Sequence, residues 1–187
     1  MIPEWLTESQ DIRVLGYPMN QNRLAVPAWS YAMEKLPPMR IVELGSYNGG
    51  FTICLGLHAK IMGCRVYSWD VCKCPTEGWE VTADFLNVKF FQADVFANEA
   101  SVARLITMPG CTFLLCDNGN KIKEFNTFSK YLKSGDVIGG HDYATDYWKA
   151  GSEINIESVA AAVAEHKLQR WMPEVFDLAG WLVYRKA

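Results

Sequence analysis

Five acids stand at the ends of short apolar runs in this chain, and chemistry would begin there. Glu43 lies within Ile-Val-Glu-Leu-Gly-Ser-Tyr-Asn-Gly-Gly (41–50), Asp70 closes Arg-Val-Tyr-Ser-Trp-Asp, and Asp94 closes Phe-Phe-Gln-Ala-Asp. Asp117 follows Thr-Phe-Leu-Leu-Cys, and Asp142 comes directly after Gly-Gly-His. A carboxylate only accepts and can take two donors at once, so it suits paired hydroxyls, an amine or a cation. A single acid at a strand end can equally cap its own turn. Acids at successive strand ends point instead to one shared crevice.

The turn after Glu43 narrows the ligand. A strand ending at Gly45 puts its carboxyl end at the edge of the sheet, Ser46 and Tyr47 continue the turn, and Gly49 and Gly50 open a helix with no Cβ to obstruct a ligand. A dinucleotide site wants Gly-x-Gly-x-x-Gly with a helix N-terminus aimed at pyrophosphate. This turn reads Glu-x-Gly-x-x-x-Gly-Gly, with Glu43 where a phosphate would be repelled. The pattern predicts a cationic ligand and disfavours a nucleotide-dependent oxidoreductase.

Asp117 and the pair His141-Asp142 form a second constellation, at the ends of the fourth and fifth predicted strands. Carboxylates from neighbouring strand ends, with coordination positions left open, suit Mg²⁺. An imidazole among the ligands shifts the preference toward Mn²⁺, Fe²⁺ or Zn²⁺. The alternative is that His141 merely orients a neighbour, and no metal binds. With an ordinary pKa near ~6.5, His141 is also the histidine placed to act as a general base. His58 repeats with Phe51, Leu55 and Met62 on one helical stripe and reads as a satisfied boundary histidine; His166 trails an alanine-rich surface helix.

The elements that would position these groups alternate along the chain. Strands are predicted at 41–45, 65–70, 88–93, 111–117 and 136–140, and helices at 50–62, 79–87, 98–107 and 121–133, with Asn98 as a helix cap. Such alternation argues for parallel βαβ units. A further helix follows residue 150, and residues 175–178 and 181–184 read as a closing hairpin of two strands. The first 37 residues, before Pro37-Pro38, are predicted to form a helical cap over the pocket, with one globular domain over 38–187.

Composition limits the partners. Eighteen basic residues against 21 acidic ones, with no basic cluster, give no footprint for nucleic acid or an anionic membrane. A small-molecule or sugar-like acceptor is the easier partner, and a homo-oligomer is left open. No apolar run approaches ~20 residues, and Met-Ile-Pro-Glu-Trp-Leu lacks signal-peptide character, so a cytoplasmic location is expected. Cys54, Cys111 and Cys116 read as core fillers, while Cys64, Cys72 and Cys74 read as reduced thiols, since Cys-x-Cys lacks zinc-knuckle spacing. Tyr143, Tyr147 and Trp148 follow the proposed metal site and are predicted to wall an acceptor pocket.

With the motifs at 41–50, 65–70 and 88–94 in place, the chain resembles the class I S-adenosylmethionine-dependent methyltransferases over roughly residues 38–185. The resemblance implies a Rossmann-like, seven-stranded, mostly parallel sheet with an antiparallel last strand and helices on both faces. It implies S-adenosylmethionine held by Glu43 to Gly50, by Asp70 on the ribose hydroxyls, by Asp94 beside the adenine and by Asp117. The constellation Asp117, His141 and Asp142 resembles the metal-dependent macrocin O-methyltransferase and cephalosporin-hydroxylase-like group, and more distantly catechol O-methyltransferase. O-methylation assisted by Mg²⁺ or Mn²⁺, with Asp117 and His141 in catalytic roles, is what that resemblance implies. Two departures stand out. Where that group often reads Asp-Gly-x-His, this chain has Asp117-Asn118-Gly119-Asn120, and Asn120 cannot take a proton. Lys121 lies one position beyond the lysine of the catechol enzymes. A binding module that keeps the cofactor pocket without the chemistry is therefore the alternative.

Overall fold

The computed structural model describes residues 12–74, 76–145 and 153–187. Its core is one sheet of seven strands: β3 (Arg40–Leu44), β4 (Arg65–Asp70), β5 (Val88–Gln92), β6 (Thr112–Cys116), β7 (Val137–His141), β8 (Leu168–Arg170) and β9 (Trp181–Lys186). They lie in the order β5-β4-β3-β6-β7-β9-β8. The first five are mutually parallel, and β9 runs antiparallel to both β7 and β8. All five residues of β3, β6 and β7 are buried, as expected of central strands covered on both faces. The order reverses between β3 and β6, where ligands of open α/β sheets bind.

Apolar clusters lie on both faces of this sheet. One gathers Trp29, Ile41, Ile53, Phe113, Phe176 and Trp181 beneath α1 (Ala25–Lys35) and α2 (Gly50–Met62). The other gathers Val42, Leu44, Ile106, Leu114, Phe125 and Phe128 beneath α4 (Glu99–Thr107) and α5 (Lys121–Phe128). Two further helices, α3 (Trp79–Phe85) and α6 (Ile156–Glu165), complete the layers. Asn98 is the residue preceding α4, as predicted, but its side chain bonds back to the Asp94 carbonyl rather than capping the helix. A true capping box opens α6, where Asn155 Oδ1 accepts from Ser158 N and Ser158 Oγ accepts from Asn155 N. No helix among the described residues is long and apolar enough to cross a membrane.

Two predictions fail at the chain's ends. Among the described residues, the expected helical cap is helical only in α1; before it, β1 (Ile12–Val14) and β2 (Tyr17–Met19) form an antiparallel hairpin against α2. The expected strand at 175–178 is also absent. Pro173 instead starts a short helix, α7 (Pro173–Phe176), and the strand next to β9 is β8. Proline suits the first helical turn, because its missing N–H is one of the unsatisfied donors there.

Candidate active site

The carboxyl ends of β3, β4, β6 and β7 open into a cavity of about 770 Å³, within the range of small-molecule sites. Gly45 makes this convergence steric as well as topological. Its φ is +100°, and a Cβ there would lie 2.5 Å from the Asp117 carbonyl oxygen, so only glycine lets the ends of β3 and β6 approach so closely. The next turn is folded onto Asp70. Asp70 Oδ2 accepts from Ser46 N at 3.0 Å and Tyr47 N at 2.9 Å, while Oδ1 accepts from Cys72 N at 2.8 Å. Each carboxylate oxygen has two lone pairs, which leaves Oδ1 with capacity for one more donor. Gly49 and Gly50 were read as room for a ligand; Gly50 does border the cavity, but the space a Cβ would take at either position is filled by protein. A Cβ on Gly49 would strike the Trp79 indole, and one on Gly50 the Pro18 carbonyl.

The second constellation is assembled as predicted and extended by residues that were not. His141 Nδ1 lies 2.8 Å from Asp117 Oδ1 and 3.4 Å from Asp142 Oδ1, and the three residues offer ligand atoms within 4.8 Å of one another. The other oxygen of each acid is engaged. Gln21 Nε2 donates to Asp117 Oδ2 at 2.5 Å, and Lys121 Nζ lies 3.0 Å from Asp142 Oδ2. Trp181 Nε1, which can only donate, bonds to Gln21 Oε1 at 3.1 Å and so fixes the amide's orientation. The Lys121 ammonium also donates to Glu153 Oε2 at 2.9 Å and to the Asn118 carbonyl at 3.0 Å. Burial disfavours that charge, but Asp117, Glu153 and Asp142 outweigh it and hold the lysine well above its ordinary pKa. His141 follows the same logic. Burial disfavours the imidazolium, and Asp117, its hydrogen bond and Asp142 together outweigh this and raise the pKa. His141 Nε2 is buried with no partner among the described residues.

Two predicted cofactor residues stand elsewhere. Glu43 is 1% exposed beneath the cavity floor, where Thr52 Oγ1 and Ser68 Oγ donate to its Oε2 at 2.7 and 2.5 Å. Burial pushes its pKa up to about 8, despite those hydrogen bonds, so it is protonated at neutral pH and supplies no charge to a ligand. Asp94 is exposed and caps its own turn, Oδ1 accepting from Phe96 N at 2.8 Å, and it does not line the cavity. Asn120 is a helix cap, its Oδ1 accepting from Lys123 N at 3.1 Å. His58 is satisfied by Ser30 Oγ and the Cys54 carbonyl, as expected of a boundary histidine. Tyr147 and Trp148 lie outside the described residues. Tyr143 is buried, with Arg170 over its ring.

The charge of the cavity wall nevertheless has the predicted sign. Asp70, Asp117, Asp142 and Glu153 face it against Lys73 and Lys121. Gln21, Glu153 and Trp181 were not legible as site residues. The bond from Gln21 to Asp117 spans 96 positions, and nothing local to Gln21 announces it. Trp181 alone carried a signal, since antiparallel pairing of β7 with β9 puts it opposite His141.

No protein-family model matches the chain, and no curated protein matches it. Solved structures do. A structure of cmcI with Mg and SAM superposes with a TM-score of 0.68 at 20% identity, covering 94% of this chain and 76% of that one. A Geobacter sulfurreducens methyltransferase gives 0.63 at 13% identity, covering 89% and 80% of the two chains. The SAH-bound Podospora anserina methyltransferase PaMTH1 gives 0.53 at 14% identity, covering 89% and 79%. At these identities the likeness is one of architecture, and this chain has the Rossmann-like fold of those methyltransferases.

Proposed function

We propose that this chain transfers the methyl group of S-adenosylmethionine to a hydroxyl of a small-molecule or sugar-like acceptor. The observation that carries the proposal is the carboxylate-rich cavity at the switch point of a methyltransferase fold. Four carboxylates against two lysines suit a ligand bearing sulfonium and ammonium charges and oppose a pyrophosphate. When bound, the cofactor supplies a methyl group that is already strongly electrophilic, so the protein contributes alignment more than chemistry.

The residues divide the work. Asp70 holds the turn at Ser46 and Tyr47 and keeps an acceptor position on Oδ1 for a ribose hydroxyl. Gly45 lets the ends of β3 and β6 close up behind the cofactor. Asp117, His141 and Asp142 form the acceptor side. Their donor atoms fit a divalent ion: separations of 2.8 and 3.4 Å bracket the ~3 Å expected between adjacent ligands of an octahedral Mg²⁺ or Mn²⁺. Such an ion would lower the pKa of a hydroxyl bound to it. Without it, the Asp117 carboxylate keeps a proton on His141 Nδ1, which leaves Nε2 of the neutral ring as the only proton acceptor the imidazole can offer.

Calorimetry with S-adenosylhomocysteine tests the cofactor assignment. Binding is expected at micromolar strength, roughly 8 kcal/mol, with NAD far weaker. Preferential binding of NAD would refute it.

A further inference from the structure

Lys121 stands where a second cation has least reason to be, beside a constellation fit for a divalent ion. It is 6% exposed, and its ammonium is spent on three acceptors: Asp142 Oδ2, Glu153 Oε2 and the Asn118 carbonyl. An ammonium has three donors, so none remains for a ligand. Asp142 is thereby split between two tasks. Its Oδ2 is given to lysine, and its Oδ1 faces His141 Nδ1. Gln21 treats Asp117 in the same way, taking Oδ2 and leaving Oδ1 to face the same nitrogen. The Gln21 amide is neutral and costs a cation little, whereas the Lys121 charge repels one directly.

We propose that Lys121 is a built-in competitor for the divalent ion, which restricts Asp142 to one oxygen and holds the ion's affinity down. The inference rests on the reading of Asp117, His141 and Asp142 as an ion-binding constellation. Its consequence is a site that holds an ion loosely through protein ligands alone and in which Asp142 keeps a cationic partner when no ion is bound.

The test is the affinity for Mn²⁺ alone, read by electron paramagnetic resonance on the full chain without cofactor. Lys121→Met removes the charge at similar length and should tighten Mn²⁺ binding by about tenfold or more, because even water-like screening leaves a strong repulsion at this range. Lys121→Arg keeps the charge and should bind within about threefold of the unaltered protein by the same electrostatics. Measured against Asp142→Asn alone, the gain from Lys121→Met should shrink, leaving only the part due to direct repulsion. If Lys121→Met fails to fold, Lys121→Gln, which keeps an amide donor for the same acceptors, should shift the affinity in the same direction. Unchanged or weaker Mn²⁺ binding in the uncharged variant overturns the proposal while leaving the constellation intact. A gain undiminished by Asp142→Asn also overturns it. No Mn²⁺ binding in any variant defeats the proposal and the ion-binding reading together, whereas calorimetry with S-adenosylhomocysteine on the same samples reports the cofactor pocket separately.

Discussion

Replacing Glu43 by glutamine probes the floor on which the cavity is built. The carboxyl is buried, with a pKa of about 8 against an ordinary 4.5, so the folded protein holds a proton there that the unfolded chain releases. Below about pH 4.5 both states are protonated, and the burial costs nothing extra. Between that value and about pH 8 the native state binds more protons than the unfolded state, so stability falls as pH rises. At pH 7 the unfolded carboxyl is some 2.5 units past its pKa, a cost on the order of 3 kcal/mol at about 1.4 kcal/mol per unit. Glu43→Gln removes this slope. The amide carries a separate penalty of about 1–3 kcal/mol that is independent of pH, because its NH₂ would sit where Oε1 has no partner. The readout is therefore the difference between variant and unaltered protein in urea unfolding at pH 5 and at pH 8. The variant should gain on the order of 3 kcal/mol relative to the unaltered protein between the two pH values. Glu124, whose pKa burial also pushes up to about 8, is present in both proteins and cancels. An equal difference at pH 5 and pH 8 would show that Glu43 is ionised in the fold and refute the reasoning.

Other substitutions separate the roles around the cavity. Asp70→Ala strips three backbone N–H groups of their acceptor and should lower stability by on the order of 3 kcal/mol in urea unfolding. It should also weaken S-adenosylhomocysteine in calorimetry by about tenfold or more. Asp94→Ala loses only a turn cap, so cofactor affinity should stay within about threefold; a large loss would return Asp94 to the adenine. Asp142→Asn and exhaustive chelation should each abolish methyl transfer, with Mg²⁺ or Mn²⁺ restoring only the chelated protein, and transfer that persists without metal would leave the acids as acceptor-binding groups.

The parallel half of the fold was legible because its strands are apolar runs with sharp ends. Strands predicted at 41–45 and 65–70 are observed at Arg40–Leu44 and Arg65–Asp70, and the helix at 50–62 is observed as Gly50–Met62. The flanks were not legible. Strand β8 buries only Leu168 of its three residues, which is too little pattern to register, whereas Val-Phe-Asp-Leu at 175–178 has the apolar content of a strand but follows Pro173. The hairpin before α1 likewise has strands of three residues, and one of them carries Pro18. At the site, strand ends revealed Asp70, Asp117, His141 and Asp142, because sheet topology alone brings them together. The expectation rested on Glu43, but the fold buries this residue beneath the cavity. A central strand covered on both faces buries an acid near its end, and the charge is supplied by its neighbours across the cavity. Gln21 and Glu153 act through contacts between distant segments, which no local spacing encodes.

The most direct measurement is product analysis after incubating the full chain with methyl-labelled S-adenosylmethionine, Mg²⁺ or Mn²⁺, and a library of hydroxylated small molecules and sugars. Label on an acceptor oxygen, lost in Asp117→Asn under conditions where S-adenosylhomocysteine still binds, is the predicted result. Tight cofactor binding with no labelled product from any acceptor would contradict methyl transfer and leave a module that binds the cofactor without using it.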